Sequence, residues 1–470
     1  MRMNNITRES IYPYLPISMQ NVVCSVYGVI ESKKRFGGVF HDRLSSLLES
    51  EHWDAEAIRA YRYHALKECL MNAIHSIPWY RNRAREAGIT DKDILANPLD
   101  ALGKLPILKK EDIHRHWKEM IRESTPLSAL IKGHTSGTTG KSLTFYRSAE
   151  AIQFQWAVWW RHRARFGCKL GDLHVNFTGK PATPLSQMHP PYWRYNRAIR
   201  QYNINMHHVT RDKISDIVRF LNSISPRFYS GYPSIIGEVA RLALEKELEL
   251  RSRSKPVAIF TGAENTFSWQ KQALEEWTGA KVTDQYGSSE GCGNASKCEY
   301  DNYHEDFEFS FLEWIDAETL HDGSRRGKLI CTDLANPDMP FIRYDIGDIG
   351  IWAPDEFTCP CGRQSRVIFS IDGRIEDFIL TPEGRRIMRF DYLFKDTHYV
   401  QEAQVCQYKK GSITMKIVRR KGYSLRDDEE IKRQVAKWIS PLLQVDIEYV
   451  ESIDREPNGK LRAVKSFLKN

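Results

Sequence analysis

The spacing of apolar residues changes along the chain and predicts a different structure for each stretch. Between residues 40 and 90, apolar side chains recur at helical spacings with charged residues between them, which is typical of amphipathic helices. Residues 148–166 open with Ser148 and Glu150, as a helix start does, and contain three tryptophans that we expect to lie in a core. We therefore predict a largely helical leading portion, residues 1–130, and a further helix after it.

Short strand-like and helical patterns alternate from about residue 170 to residue 290. Segments such as VAIFTG and KVTDQYG are strand-like, and amphipathic helical patterns lie between them. Strands that alternate with helices favour a parallel sheet with crossover helices, and ligands of such sheets bind at the carboxyl ends of the strands. Residues 261–265 and 285–291 begin where a strand is predicted to end, so both are candidate site segments.

The pattern changes again in the last third of the chain. Residues 305–372 are mostly strand-like, and beyond Gly373 alternating strands surround a single helical segment. We predict an α/β protein whose large N-terminal domain, residues 1–372, contains mixed and parallel sheets with helices. A boundary at residues 373–377 precedes a small α+β domain at residues 378–470.

Composition excludes several classes of protein. The 470 residues are 41% hydrophobic and 27% charged, which excludes a disordered or fibrous chain. The net charge of +8 suits anionic small molecules, but basic and acidic residues are interspersed. Because no cluster of Lys and Arg with interleaved aromatic residues occurs, we do not expect a nucleic-acid partner.

The cysteines and the apolar segments of the chain indicate the cellular compartment of the protein. The chain begins with a polar segment that lacks the apolar region of a secretory signal, and nine cysteines are an odd number. We therefore expect cytoplasmic thiols or metal ligands, and no run is long enough for a transmembrane segment. Residues 11–30 form the most apolar early stretch, and we expect them to pack against the body of the protein. A peripheral membrane contact is the alternative for this stretch.

A run of glycine and hydroxyl residues at 134–142 is the strongest local motif. Its glycines allow close backbone approach to phosphate oxygens, and its hydroxyls, backbone N–H groups and Lys141 offer donors and positive charge. A Walker A loop is excluded because Thr135 stands where that motif has glycine, and a kinase glycine-rich loop does not fit. The structural alternative is a hairpin tip, since strand-forming aromatic residues follow.

This run resembles the phosphate loop of the adenylate-forming enzymes, a superfamily of acyl-CoA synthetases, adenylation domains and luciferase. Four further segments resemble motifs of that superfamily in the same order, namely 285–290 (QYGSSE), 343–348 (RYDIGD), 373–377 (GRIED) and 457–460 (PNGK). Five motifs in order are far more specific than any one of them. The resemblance implies ATP-dependent activation of a carboxylic acid, by a large N-terminal domain and a small mobile C-terminal domain.

Other segments resemble one branch of the superfamily, the phenylacetate–CoA ligase-like group. They are residues 231–234 (GYPS), residues 262–264 (GAE) and a set of cysteines with a histidine. The early stretch LPISMQNVVCSVYG is similar to CapK-type proteins, which occur in capsular and surface polysaccharide gene clusters. The resemblance therefore implies an acid–thiol ligase type of enzyme and a setting in capsule or surface polysaccharide biosynthesis.

The resemblance assigns most motif residues to ATP. The residues implied to bind the phosphates are those of the first loop, Thr135, Ser136, Gly137, Thr138, Thr139, Gly140 and Lys141. The residues implied to surround the adenine and the rest of the nucleotide lie in two strand-end segments, Gly262, Ala263, Glu264, Gln285, Tyr286, Gly287 and Ser288. Asp348 would accept hydrogen bonds from the ribose hydroxyls, and Arg374 would steady the ribose and phosphate side.

Two residues are implied to act directly in adenylation. Glu290 would help to ligate Mg²⁺, and Lys460 would bridge the carboxylate and the α-phosphate and neutralise charge in the transition state. Glu376 lies in the hinge motif, which would carry the domain rotation. The structural alternatives are a helix cap for Glu290, a turn-stabilising carboxylate for Asp348 and an ordinary turn lysine for Lys460.

The acid and the acceptor each have several candidates. His207, Tyr232 and Asn265 are candidate residues of the acid pocket, and aryl acids, acetate-like acids and amino acids are all candidate substrates. The acceptor is CoA or an amine or hydroxyl of a sugar precursor, because the stretch after the hinge departs from the ordinary ligase pattern. A non-catalytic scaffold of polysaccharide assembly that keeps the fold is the alternative function, and the intact motif residues argue against it.

Three cysteines and one histidine form a candidate metal site. Five residues lie between Cys298 and His304, and Cys359 and Cys361 follow some fifty residues later. Three thiols and an imidazole complete a tetrahedral zinc set, and four protein ligands would make the site structural. The alternative is four separate reduced residues; the resemblance favours zinc. Cys292 is a substitute ligand.

Overall fold

Helices dominate the chain before its first strand. The computed structural model describes residues 11–134, 143–179, 182–264, 266–372, 378–387, 390, 393, 399–419, 422–454 and 462–468. The helices of the leading portion are α1 (Ile17–Phe36), α2 (Phe40–Ser50), α3 (Ala55–Ser76), α4 (Pro78–Glu86), α5 (Asp91–Ala96), α6 (Pro98–Lys104) and α7 (Lys110–His116). Polar caps start several of them. The Asp54 side chain accepts a hydrogen bond from Ala57 N, and Thr90 and Asp93 form a capping box. The predicted helices of residues 40–90 are confirmed.

Strands and crossover helices alternate in the middle of the chain, as the sequence pattern predicts. The strands up to the antiparallel region are β1 (Ile131–His134), β2 (Thr144–Arg147), β3 (His174–Thr178), β4 (Trp193–Asn196), β5 (Gln201–Asn205), β6 (Phe228–Gly231), β7 (Ala258–Gly262) and β8 (Lys281–Gly287). The helices of this part are α8 (Ala149–Arg165), α9 (Ile214–Leu221), α10 (Pro233–Glu245) and α11 (Ser268–Thr278).

Antiparallel strands follow and extend the same sheet. They are β9 (Asn294–Lys297), β10 (Tyr303–Glu305), β11 (Ser310–Thr319), β12 (Arg325–Asp333), β13 (Tyr344–Trp352) and β14 (Val367–Asp372). The order in the twelve-stranded sheet is β11-β12-β13-β14-β10-β9-β8-β7-β6-β3-β5-β4. Strands β8, β7, β6, β3 and β5 are mutually parallel, and each remaining pair is antiparallel. This mixed sheet confirms the predicted α/β fold class.

A smaller α+β unit follows. Its elements are β15 (Ile379–Leu380), β16 (Arg386–Ile387), β17 (Val400–Lys409), β18 (Ser412–Arg419), α12 (Leu425–Trp438), β19 (Gln444–Tyr449) and β20 (Val464–Ser466). Strands β15 and β16 pair with each other, and the other four form a sheet in the order β19-β18-β17-β20. The unit has its own apolar core, in which Ile431 and Val435 of α12 pack against Met415 and Ile417 of β18. The predicted hinge, residues 373–377, lies outside the described residues.

A buried charge network holds α8 between α2 and the antiparallel strands. Both terminal nitrogens of the Arg161 guanidinium donate to carboxylates, one to Glu308 at 2.7 Å and the other to Asp306 at 2.6 Å. Arg165, one turn further along, donates to Glu51 at 2.9 Å. Loss of one partner would leave a buried charge uncompensated, which typically costs about 3–5 kcal/mol. The network therefore fixes the position of α8 beneath the sheet.

Helix α1 covers the free edge of the large sheet, where β4 is the outermost strand. Its polar residues make the contact, because Asn21 accepts from Tyr195 N at 2.9 Å and Ser25 accepts from Arg197 N at 3.0 Å. The early stretch therefore packs against the body, as expected, but through its polar side and not its apolar one. Among the described residues, no helix has the length and hydropathy that crossing a bilayer requires.

Candidate functional site

The candidate site lies at the carboxyl ends of the parallel strands. The strand register pairs Gly231 with Thr261 and Gly262 with Gln285, so the ends of β6, β7 and β8 lie side by side. Tyr232 directly follows the first of these ends, Ala263 follows the second, and the segment after Gln285 completes the third. The topology therefore brings residues 261–264, the described part of the first predicted strand-end segment, and residues 285–291 to one edge of the sheet.

Tyr286 and Asp348 are in direct contact at this edge. The Tyr286 phenol donates a hydrogen bond of 2.7 Å to Asp348 Oδ2. Burial, followed by the charge of Asp348, raises the pKa of Tyr286 well above its ordinary value, so the phenol is the donor. Strand β13, which carries Asp348, lies four places from β8 in the sheet order. Four strand spacings of about 4.8 Å would separate them by about 19 Å in a flat sheet. The antiparallel half must therefore curl over the strand ends.

Glu290 lies beside the same strand. The hydroxyl of Tyr344, at the start of β13, is 3.5 Å from Glu290 Oε1. Gly291 follows with a φ of +75°, and a Cβ at that position would lie 2.6 Å from Cζ of Arg147. Glycine is therefore required for two reasons, the left-handed backbone and the adjacent guanidinium.

Arg147 lies at the candidate site but outside the sequence motifs, and Tyr344 lies within the 343–348 motif but was assigned no role from it. Arg147 ends β2, is buried, and donates to Gln155 Oε1 at 2.7 Å and to Ala151 O at 3.0 Å. Its charge interacts with Glu290, and burial lowers its pKa from the ordinary value for arginine. The one sequence signal for Arg147 is its position five residues after the predicted phosphate loop.

The other strand-end residues that are predicted to bind the nucleotide make local contacts. Gln285 donates to Ser296 Oγ at 3.2 Å, and Glu264 accepts from Ser234 N at 3.2 Å. Ala263 has a φ of +66°, a left-handed conformation that is uncommon for a residue with a side chain. Strained backbone of this kind is concentrated at functional sites.

Glycine and serine residues shape the rest of the edge. A Cβ on Gly262 would lie 3.2 Å from Gln285 O, and one on Gly287 would lie 2.9 Å from Asn294 Oδ1. The Ser288 carbonyl accepts from Gln155 on helix α8 at 3.4 Å. The strand ends are therefore closely packed against one another and against α8.

Two of the predicted acid-pocket residues follow the ends of β6 and β5, which flank β3 in the sheet. Tyr232 begins α10, and a Cβ on Gly179 would lie 3.4 Å from its ring. His207 follows β5 in a short turn, and its ring lies 6.3 Å from Trp438 of α12. Burial, with the charge of Arg385 second, lowers the pKa of His207 to about 3. His207 is thus a neutral side chain at the junction with the C-terminal unit.

Several predicted site residues lie outside the described residues. They are Thr135, Ser136, Gly137, Thr138, Thr139, Gly140, Lys141, Asn265, Arg374, Glu376 and Lys460. The strands on either side of the first loop are described. Strands β1 and β2 are antiparallel, with His134 opposite Thr144.

The candidate zinc ligands converge on one point. One ligand atom from each of Cys298, His304, Cys359 and Cys361 lies within 4.8 Å of all the others. His304 Nε2 is 3.2 Å from Cys361 Sγ, and the sulfur atoms of Cys298 and Cys359 are 3.7 Å apart. Three thiols and an imidazole are the donor set of a tetrahedral structural zinc site, so the residues fit that metal.

Neighbouring polar groups orient these ligands. Nδ1 of His304 is hydrogen-bonded to Ser365 Oγ at 3.2 Å, which leaves Nε2 directed at the thiols. Tyr300 N and Asn302 Nδ2 each donate to a cysteine sulfur at 3.4 Å. Cys292 lies apart from this group, with its sulfur 3.6 Å from Ser288 Oγ.

The sequence and the fold are similar to those of known ligases. Residues 379–467 match the family described as the CapK C-terminal domain. Over 469 aligned residues the chain is 26% identical to Protein CapK of Staphylococcus aureus. The alignment covers 98% of this chain and 99% of that protein. The chain resembles CapK along almost its whole length. It is also 26% identical over 342 residues to the phenylacetate-coenzyme A ligase of Thermus thermophilus, covering 71% of this chain and 74% of that enzyme.

Solved structures of one CoA ligase have a similar fold. They are crystal structures of 2-hydroxyisobutyryl-CoA ligase, each 19% identical to this chain. The postadenylation state with R3-HIB-AMP has a TM-score of 0.54 and covers 88% of this chain and 90% of that one. The thioesterification state with 2-HIB-AMP and CoA has a TM-score of 0.55, and the match covers 89% of this chain and 91% of that one. The predicted resemblance to the adenylate-forming superfamily and its CapK-like branch is confirmed.

Proposed function

We propose that this CapK-like protein uses ATP to activate a carboxylic acid as an acyl adenylate and then transfers the acyl group to an acceptor. The observation that carries the proposal is the contact between Tyr286 and Asp348. It joins the segments 285–290 and 343–348, which the resemblance assigns to one nucleotide site, although they are far apart in the sequence. Glu290 lies at the same strand end, beside Tyr344.

The proposed first step has one bond made and one broken. A carboxylate oxygen attacks the α-phosphorus of ATP and forms a new O–P bond. The bond between the α-phosphorus and the oxygen that bridges it to the β-phosphorus breaks, and pyrophosphate leaves. Asp348 would hold the ribose hydroxyls, and Tyr286 would fix the position of that carboxylate. Glu290 would ligate Mg²⁺, which supplies positive charge for the phosphates. Lys460, from the C-terminal unit, would stabilise the charge that develops between acid and phosphate.

The acceptor that we favour is the thiol of CoA. The support is the similarity to two CoA ligases, phenylacetate-coenzyme A ligase and 2-hydroxyisobutyryl-CoA ligase. An amine or a sugar hydroxyl is the second candidate acceptor, and a role in capsule or surface polysaccharide biosynthesis is supported by the similarity to CapK. The cysteine usage supports a cytoplasmic enzyme.

We further propose that residues 378–470 form a small domain that rotates about residues 373–377 between the two half-reactions. We also propose that Cys298, His304, Cys359 and Cys361 hold one structural Zn²⁺. Because four protein ligands leave no position for a substrate, this metal would stabilise the junction of β9, β10 and β14 and take no part in catalysis.

Isotope exchange between pyrophosphate and ATP tests the proposal. The purified chain is assayed with a panel of aryl, short aliphatic and amino acids, first without an acceptor and then for product formation with CoA. We expect exchange that depends on one class of acid and that falls by at least about 100-fold in Lys460→Ala, because a transition-state cation is lost. A folded protein that exchanges with none of the acids would favour the non-catalytic scaffold. Exchange without CoA-dependent product would favour the amine or hydroxyl acceptor.

A further inference from the structure

Helix α1 presents an apolar stripe to solvent. Five residues share one face of the helix by their three- and four-residue spacing and are between 47% and 60% exposed, and they are Met19, Val22, Val26, Val29 and Ile30. Tyr14, just before the helix, is 87% exposed, and Tyr27 flanks the stripe. A contiguous apolar stripe of this kind on a surface marks an interaction site more often than scattered single residues do.

The opposite face of α1 is polar and buried, which reverses the usual orientation of a surface helix. Gln20 is 2% exposed and accepts from Nε of the buried Arg194 at 2.7 Å. Asn21 and Ser25 accept backbone N–H groups of β4 and its following turn. Gly28 packs directly against the side chain of Asn196. These contacts fix the rotation of the helix about its axis, so the valines cannot turn inward without loss of three hydrogen bonds.

Basic side chains lie at one end of the stripe. Lys33 continues the same spacing by one turn and is exposed, and Lys34 is 52% exposed beside it. Arg197, in the turn that contacts Ser25, is exposed on the same edge of the molecule. Glu31 is the acidic residue of the helix, and it is engaged by Lys34 and Arg35. The exposed charge next to the stripe is therefore positive.

We propose that the stripe of α1 is a docking surface for an anionic lipid membrane, on which the helix lies parallel to the bilayer plane. The valines and Met19 would enter the boundary between head groups and acyl chains, the two tyrosines would lie at the head-group level, and Lys33 and Arg197 would contact anionic head groups. Because α1 covers the outer edge of the twelve-stranded sheet, its apolar face lies on the periphery of the molecule, where a flat surface can reach it.

The area of the stripe argues against a second copy of the chain as the occupant. The stripe runs from Met19 to Ile30, so it is about 17 Å long and about 10 Å wide, or roughly 170 Å². A stable dimer buries about 800 Å² on each partner. A membrane needs no minimum complementary area, because apolar insertion and charge attraction add along the helix.

Vesicle flotation of the full chain tests this docking surface. One set of vesicles contains phosphatidylcholine and phosphatidylglycerol, and the other contains phosphatidylcholine alone. We expect the wild type to float with the anionic vesicles and to be released by salt, and to bind neutral vesicles more weakly. The double variant Val22→Asp/Val26→Asp should bind anionic vesicles at least about 10-fold more weakly, and Lys33→Glu about 10-fold more weakly.

Matched controls separate a specific surface from a folding defect. Leu425→Asp changes an apolar residue of the C-terminal unit that is 74% exposed, and it should leave flotation unchanged. The thermal unfolding midpoint of each α1 variant should match that of the wild type, because the substituted side chains are exposed. Three results would overturn the proposal. They are a wild type that floats with neither vesicle, a double variant that floats as well as the wild type, and a wild-type dimer that the double variant converts to monomer.

Discussion

The phenol oxygen of Tyr286 and the carboxylate of Asp348 are 2.7 Å apart, although 62 positions separate them in the chain. The contact crosses from the end of a parallel strand to a strand of the antiparallel half, so it depends on the curvature of the whole sheet. It also places Asp348 near Glu290, because Tyr344 of the same strand reaches that glutamate. Two candidate ligand-binding carboxylates therefore share one scaffold.

Removal of the candidate zinc ligands should release a metal and lower stability. We expect wild-type protein to contain one equivalent of zinc and Cys359→Ser/Cys361→Ser to contain none. The thermal midpoint should fall in the double variant, because binding of a structural metal contributes directly to folding. Elemental analysis and thermal unfolding check both expectations.

The control for the zinc variant is Cys406→Ser, which changes a buried cysteine of the C-terminal unit outside the cluster. Zinc content should be unchanged in that protein. Less than half an equivalent in the wild type, or equal zinc in wild type and double variant, would show that the cluster is four reduced side chains.

Alanine at Gly291 should disturb both the backbone and Arg147. A residue with a Cβ costs about 1–2 kcal/mol in left-handed backbone. The Cβ of an alanine at position 291 would also displace the Arg147 guanidinium. Gly88→Ala is the matched control, because Gly88 has a φ of +65° with no heavy atom within 4 Å of its Cβ position. We expect a larger loss of stability, and loss of ATP–pyrophosphate exchange, in Gly291→Ala alone. Equal behaviour of the two variants would mean that Arg147 has no part in the site.

The protein should lose stability on mild acidification, in part through His174. Its Nδ1 donates to Asp172 O at 3.0 Å and its Nε2 accepts from Gln201 at 2.9 Å, so the ring is held neutral. Burial lowers the pKa of His174 from 6.5 to about 4. Between those values the unfolded chain binds a proton that the folded chain does not, and the free energy of unfolding therefore decreases as pH falls from 6.5 towards 4.

At pH 5 the contribution of His174 is about 2 kcal/mol relative to pH 7. His174→Gln should lower the thermal midpoint at every pH, because the ring also stacks on Phe228. Its midpoint should, however, depend less on pH than that of the wild type between pH 6.5 and 4. Parallel pH profiles for the two proteins would show that His174 titrates normally in the folded state.

Proline at position 376 should separate the two half-reactions. A fixed φ would hold the proposed hinge in one conformation, so either adenylate formation or acyl transfer should persist while the other is lost. Glu376→Ala, which leaves φ free, should retain both activities. Equal loss of both half-reactions in Glu376→Pro with an unchanged thermal midpoint would argue against domain rotation about this segment.

Local patterns predicted the elements of this fold well, because helical and strand-like spacings depend on neighbouring residues. The helices of residues 40–90 and the parallel strands that end near Gly262 and Gly287 are examples. The orientation of α1 could not be predicted in that way. The stretch was expected to pack against the body, but the face that does so depends on the partners of Asn21 and Ser25, which lie on and just after a strand about 170 positions later.

Candidate site residues within a sequence motif could be named from the sequence, and a residue that only the fold brings to the site could not. Asp348 and Glu290 lie in short motifs, so the resemblance named them before the fold was known. Arg147 belongs to none of the motifs, and it lies near Glu290 only because the β1–β2 pair brings it there. No local pattern distinguishes an arginine of this kind from the other basic residues of the chain.

The measurement that tests the central claim most directly is acid-dependent ATP–pyrophosphate exchange in wild type, Asp348→Asn and Tyr286→Phe. Asp348→Asn removes the charge of the acceptor that we propose for two ribose hydroxyls. It should reduce exchange by about 100-fold, since hydrogen bonds to charged groups are worth about 1.5–3 kcal/mol each. Tyr286→Phe keeps the ring and removes one hydrogen bond to Asp348, so it should cost about 10-fold or less. The predicted result is that the wild type exchanges with one class of acid, that Tyr286→Phe exchanges less, and that Asp348→Asn exchanges least. Exchange that is absent from the folded wild type, or unchanged in Asp348→Asn, would contradict the assignment of an adenylation site to these strand ends.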